Sequence, residues 1–227
     1  MGHSQSALLA RGQHHTRVGN HPKAARKFRR VWERRRRALG PCAPATRQAL
    51  SLLLCALHRG GEHAAVVQLW EQQQQQQQPG SQGTGEEWEA GVLSLVCSSL
   101  EVQGRWECAV SLGRSCVPRL RETLGPTHPD TLCCTLNLAT SLRHVGSPDT
   151  VQEALALSQH CVPLLQDTLG ATHRHTLAAM MCLAACLLAT AQHQQAVEVG
   201  QRCLLALCKV SNSNSNSNSN SNSNSNS

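Results

Sequence analysis

Aromatic side chains are scarce in this chain: one Phe, four Trp and no Tyr among 227 residues, although 40% of the residues are hydrophobic. A core organised around large rings is excluded, so Leu, Ala, Val and Cys must fill the interior at solid-like density. Long apolar runs are lacking too. The longest, Leu177 to Ala189, spans thirteen residues, short of the ~20 that cross a bilayer, and reads as a buried helix. Residues 1–20 contain no continuous apolar stretch of the secretory type. The twelve cysteines therefore point to a reducing compartment and a cytoplasmic location.

Acidic residues are almost missing from the first 37 positions, where Glu33 stands alone against eleven Lys and Arg, whereas residues 38–227 hold ten Lys and Arg against thirteen acids. The formal net charge of +7 is thus a local property of the N-terminal part. No Cys-x-x-C pair is present to nucleate a zinc knuckle. The phosphate-loop look of Gly80-Ser81-Gln82-Gly83-Thr84-Gly85 lacks the Lys-Ser/Thr step that would reach phosphate and Mg²⁺. No nucleophile, base and orienting group are marked out together, and neighbours such as His160 and Cys161 fall on different faces of a helix. No catalytic residue, cofactor or metal site is expected, and the chain does not read as an enzyme.

What is present is repetition. Leu124-Gly125-Pro126-Thr127-His128-Pro129-Asp130-Thr131-Leu132 returns 45 residues later as Leu169-Gly170-Ala171-Thr172-His173-Arg174-His175-Thr176-Leu177, and a further copy starts at Leu39-Gly40. Ala24, Ala65, Ala109, Ala154 and Ala196 recur at 41, 44, 45 and 42 residues. Seven residues beyond each, two turns down the same helix face, stand Val31, Gln72, Cys116, Cys161 and Cys203. Gly19, Gly60 and Gly104 precede their alanines by five residues, whereas Gly146 precedes Ala154 by eight, which reads as a turn lengthened within residues 147–150. Each unit is expected to be two antiparallel helices. The first carries apolar residues at helical spacing, as in Leu132, Leu136, Ala139 and Leu142, and stops at the glycine. The second starts ahead of the alanine and stops at Leu-Gly, after which Pro129 and Asp130 restart a helix. Cys116, Cys161 and Cys203 share one column, Cys55 and Cys186 align with Ser99 and Ser141, and Cys97 aligns with Ala139 and Ala184, so small-residue packing is the expected role of the cysteines.

The string LG-x-x-H-x-x-T-L, followed by Leu136-Asn137-Leu138-Ala139, a glycine and Glu153-Ala154-Leu155, resembles the tetratricopeptide repeats of kinesin light chains. The resemblance covers residues 104–210, extends more loosely over 20–70, and stops short of both ends. It implies an all-α, right-handed superhelical solenoid of antiparallel helix pairs, whose first helices line a groove for a peptide or a partner's helix. In such arrays an asparagine on the first helix contacts the bound peptide. Here that column reads Ser51, Leu95, Asn137 and Cys182, which suggests a less polar groove. Candidate lining residues, placed by alignment, are Arg47, Ser51, Thr131, Thr135, Asn137, Thr176 and Cys182.

The expected organisation is a poorly ordered segment over 1–19, the first units with a basic helix over 20–71, a Gln/Gly-rich linker over 72–85, further units over 86–210, and a disordered Ser/Asn tail over 211–227. A non-catalytic protein-interaction scaffold is the first reading. The second is an adaptor attached to a membrane or another polyanion, such as RNA, through Lys23, Arg26, Lys27, Arg29, Arg30, Arg34, Arg35, Arg36 and Arg37. Phe28 and Trp32 fall at the helical spacing of the apolar columns with Ala24, Val31 and Leu39, so no aromatic platform interleaves with the arginines to stack bases. Gly2 fits the loose myristoylation pattern, so peripheral attachment stays open, as does organelle import from the Arg-rich, acid-poor start. A third reading is a metal- or redox-responsive cysteine protein. The helix from Gln194 to Val210 ends in Ser/Asn without a polar cap, and its apolar residues offer a face for self-association.

Overall fold

A computed structural model describes residues 2–75 and 86–219. Ten helices follow one another among them: α1 Gly2–Arg17, α2 His21–Leu39, α3 Pro44–Arg59, α4 His63–Gln75, α5 Glu86–Val102, α6 Trp106–Thr123, α7 Pro129–Val145, α8 Pro148–Leu169, α9 Arg174–Ala189 and α10 His193–Ser219. The chain forms two compact units, Met1–Leu124 and Gly125–Ser227. In the first, α1 packs on α2, α2 on α3, and α5 on α3, α4 and α6. In the second, α8 packs on both α7 and α9, and α10 on α9.

The periodic alanines explain this arrangement. Ala24, Ala109, Ala154 and Ala196 sit on the second helix of successive pairs, α2, α6, α8 and α10, and are 0%, 1%, 0% and 5% exposed. A side chain this small lets helices approach closely. Val31, Cys116, Cys161 and Cys203, two turns further on, are buried as well. Each second helix starts after a residue of positive φ, which is Gly19, Gly61, Gly104, Gly146 or Ala191.

That marker corrects the alignment of the second pair. Gly61, at φ +77°, and not Gly60, makes the left-handed turn. The column therefore runs through Val66 and Gln73, both buried, while Ala65 is half-buried and Gln72 exposed. Gln73 satisfies its amide by donating to the Pro41 carbonyl at 3.4 Å. The first residues of the glutamine tract are thus a working end of α4, and residues 76–85 of the expected linker lie outside the described residues.

Three further expectations need correction. The segment 1–19 is not poorly ordered, since Gly2–Arg17 is α1, the first helix of a complete first pair. Gly12 is buried against the Phe28 ring, and a Cβ there would lie 2.8 and 2.9 Å from Cζ and Cδ1. The extra residues ahead of Ala154 do not lengthen a turn. Ser147 caps α8 directly after Gly146, its hydroxyl accepting from the Thr150 N–H at 3.3 Å, and Pro148 opens a helix one turn longer at its start. Finally, α10 runs to Ser219, nine residues past Val210. Extending an existing helix avoids the nucleation cost, so residues 211–219 continue the backbone of α10; residues 220–227 lie outside the described residues.

Candidate docking surfaces

The LG-x-x-H-x-x-T-L string is structural. His128 and His173 each cap a helix, Nδ1 accepting from the N–H of Asp130 at 3.2 Å and of His175 at 3.3 Å. Thr176 donates to the Gly170 carbonyl at 2.8 Å, with the Leu165 carbonyl at 3.2 Å, and so ties the start of α9 to the end of α8. Sequence reasoning missed these caps, although histidine at the same place in two copies was the available signal.

Burial divides the seven groove candidates. Arg47 and Ser51 on α3 and Asn137 on α7 are half-buried. Thr131, Thr135, Thr176 and Cys182 are 1%, 1%, 0% and 5% exposed, so they are packing positions and not lining residues. Thr135 spends its hydroxyl on the Thr131 carbonyl of its own helix at 2.8 Å. Cys182 meets the Ser158 hydroxyl at 3.5 Å. A hydrogen bond from Cys186, helped by the Ser158 and Thr140 hydroxyls, pulls the Cys182 thiol down against its burial, while Cys186 is pushed up. Among the described residues, no three His, Cys, Asp or Glu side chains gather as a metal site would require.

The apolar run Leu177–Ala189 is not wholly buried. Leu177, Met180, Leu183 and Leu187 face the core, but Met181 is 62% and Leu188 56% exposed, with Ala178 and Ala189 exposed beside them. The run hides its two-sidedness because the solvent face of α9 is apolar too. On α10, Val197, Leu204 and Leu205 are 53%, 62% and 65% exposed. No helix among the described residues is long and apolar enough to cross a membrane.

The nine cations of α2 fall into two groups. Lys23, Arg26, Arg30, Arg34 and Arg37 are exposed, and their spacing of three or four residues puts them on one helix face. Lys27, Arg29, Arg35 and Arg36 are half-buried. Arg35 donates to the Ala45 carbonyl at 2.7 Å, and the Arg36 guanidinium lies 5.2 Å from the Trp32 ring centre. Between α2 and α4 a cavity of about 580 Å³ is lined by Arg29, Arg36, Arg37, Glu33, Trp32 and Leu69, among others. A second cavity of about 520 Å³ lies between α4 and α6 and holds Glu71, Arg105 and Glu107. There Arg105 and Glu71 form an ion pair at 3.0 Å. Gly2, the lipidation candidate, opens α1.

One cluster resembles a nucleophile beside a base. His58 and His63 Nδ1 lie 3.1 and 3.3 Å from Ser99 Oγ. Ser99 is fully buried and donates its proton to the Leu95 carbonyl at 2.8 Å. It therefore clasps α3, α4 and α5 together and presents no activated oxygen.

No family model matches the sequence, and no curated protein matches it. Solved structures do. A kinesin light chain-like protein from Podosopora anserina with nearly identical TPR-like repeats is 22% identical and superposes with a TM-score of 0.71 over 93% of this chain and 99% of its own. The fold is the tetratricopeptide-like repeat fold. The same arrangement recurs at 12% identity in a MamA RS-1 double mutant, with a TM-score of 0.65 over 92% of this chain and 97% of that one. It recurs at 13% in BtubC (BKLC) from P. vanneervenii, with a TM-score of 0.58 over 89% and 73%. At these identities the tetratricopeptide-like likeness speaks for architecture alone.

Proposed function

We propose that this chain is a non-catalytic scaffold that holds a peptide or helix of a partner protein against the first helices of its pairs. The observation that carries the reading is the chain of five tetratricopeptide-like pairs with equivalent buried contacts at Ala24, Val66, Ala109, Ala154 and Ala196. Such pairs cannot bury their apolar faces singly, and stacking them leaves a repeated surface available for a partner. Arg47 and Ser51 are the polar candidates on the first unit, and Asn137 is the polar candidate on the second. The full chain, used as bait in a cell extract beside Asn137→Ala and Arg47→Ala/Ser51→Ala, should retain a partner that the variants lose by at least ten-fold. A partner retained equally by all three proteins would place the contact elsewhere.

The exposed Val197, Leu204 and Leu205 favour a second reading, pairing of two copies through α10. Sedimentation equilibrium should then give a dimer that Leu204→Glu/Leu205→Glu converts to monomer. A monomeric wild-type protein at 100 µM, a concentration on the order of those at which weak self-association shows, would remove it.

A further inference from the structure

We infer that α2 and the crevice beside it bind an acidic helical segment of a partner protein. The exposed cations Lys23, Arg26, Arg30, Arg34 and Arg37 form a ridge along one face of α2, about 21 Å long at the helical rise of 1.5 Å per residue. A partner helix with carboxylates every third or fourth residue has the same repeat along its axis, so charge meets charge at each turn. On its α4 side the ridge borders the 580 Å³ cavity, which holds three arginines, Arg29, Arg36 and Arg37, against one acid, Glu33. Trp32, Pro41 and Leu69 give that cavity an apolar wall able to take a side chain of the same segment.

Comparison with the next crevice sharpens the point. Between α4 and α6 the corresponding cavity holds one arginine and two glutamates, and its Arg105 is tied to Glu71. The first crevice is positive where the second is balanced. Like charges along α2 repel one another, so a partner that neutralises them relieves that repulsion. The half-buried arginines are also partly ordered in advance: Arg36 lies over Trp32, and Arg35 is bonded to the Ala45 carbonyl. Ordering them on binding costs correspondingly less.

Other polyanions fit this surface less well. A membrane-surface helix must sink its apolar face among lipid chains, but that face of α2, comprising Ala24, Ala25, Phe28, Val31 and Trp32, is already buried in the protein. Single-stranded RNA is held by stacking on exposed rings, and Trp32 is only 5% exposed beneath Arg36. The inference is separate from the groove on the first helices, because no residue of α3 or α7 takes part.

The test uses full-length protein and a fluorescein-labelled, Ala-based peptide of about four turns carrying Glu at every third or fourth position. An isomer of equal composition has its glutamates spread around all faces. Fluorescence anisotropy should show the one-face peptide binding at least ten-fold tighter than its isomer, and weakening at least ten-fold as salt rises from 50 to 300 mM, on the order expected for screened surface charge. Arg30→Glu/Arg34→Glu and, separately, Arg29→Gln/Arg36→Gln should each lower affinity at least ten-fold with helical circular dichroism retained. Arg121→Glu, exposed on α6, should leave affinity unaltered. Equal binding of the two isomers overturns the inference. So does tighter binding of phosphatidylserine vesicles or oligouridylate than of the one-face peptide.

Discussion

Thr46, Thr131 and Thr176 hold the same place in three copies of one string, yet the structure uses the first and last differently. Thr176 bridges α8 and α9 through the Gly170 carbonyl, whereas the Thr46 hydroxyl, fully buried, meets no partner. Valine replaces the hydroxyl at equal shape, so the two sites should respond with opposite sign. Thr176→Val should cost about 1–2 kcal/mol by breaking a buried hydrogen bond, and Thr46→Val should be neutral or stabilise by up to about 1 kcal/mol by removing an unpaired group. Urea denaturation decides it; equal losses at both sites would show that the pairing carries no weight. Ala191 is the second residue-scale case. It stands at φ +59° where the other four pairs have glycine, a conformation that costs an L side chain about 1 kcal/mol or more. Ala191→Gly should raise stability by about that amount, and a drop on the same measurement would refute the strain. The threonine was legible in the sequence as a recurring letter. Its bond was not, because a repeat string records position and not which carbonyl lies opposite.

At the level of helices, the sequence disclosed the pairs through their alanine column but misplaced details that depend on where a turn closes. Gly60 and Gly61 are adjacent, and spacing alone could not tell which adopts positive φ; the choice moved the column from Gln72 to Gln73. α1 was illegible because its packing rests on Gly12 against Phe28, a contact made by the absence of a side chain. The solvent face of α9 went unseen because Met181 and Leu188 carry no polar mark. Of the groove candidates, four of seven turned inward, since alignment to a resembling array transfers a position on a helix and not its exposure. The extra turn of α8 gives a direct test of the pair as a unit. Deleting Pro148-Asp149-Thr150 would set Ala154 five residues beyond Gly146, the interval found at Ala24, Ala109 and Ala196. The shortened protein should keep its helical circular dichroism and lose only about 1–2 kcal/mol, from the Ser147 cap and the N-terminal proline. Unfolding of this variant at 25 °C would show that the added turn is required.

Over the whole molecule the cysteines report on folding. Cys42, Cys108 and Cys208 are exposed and Cys55 half-buried, while the remaining eight are buried between helices. Native protein at pH 7.5 should therefore release three thiols quickly to a chromogenic disulfide, and all twelve only when unfolded in guanidinium. Fast reaction of more than four would mean that the packing columns are open. The buried thiols also set a direction for pH. Burial, with Asp130 nearby, pushes the Cys133 thiol from its ordinary value near 9 up to about 11, and burial raises Cys55 and Cys203 in the same sense. A raised thiol favours the neutral form in the folded state, so its contribution is complete below about pH 9 and is lost as pH rises through the folded value near 11. For Cys133 alone that loss is about 2 kcal/mol at pH 11. The urea midpoint of the wild-type protein should fall between pH 9 and 11, an interval on the order of the thiol titration range. Cys133→Ala should begin less stable but show a shallower alkaline decline, and an unaltered slope in that variant would assign the pH dependence to other groups.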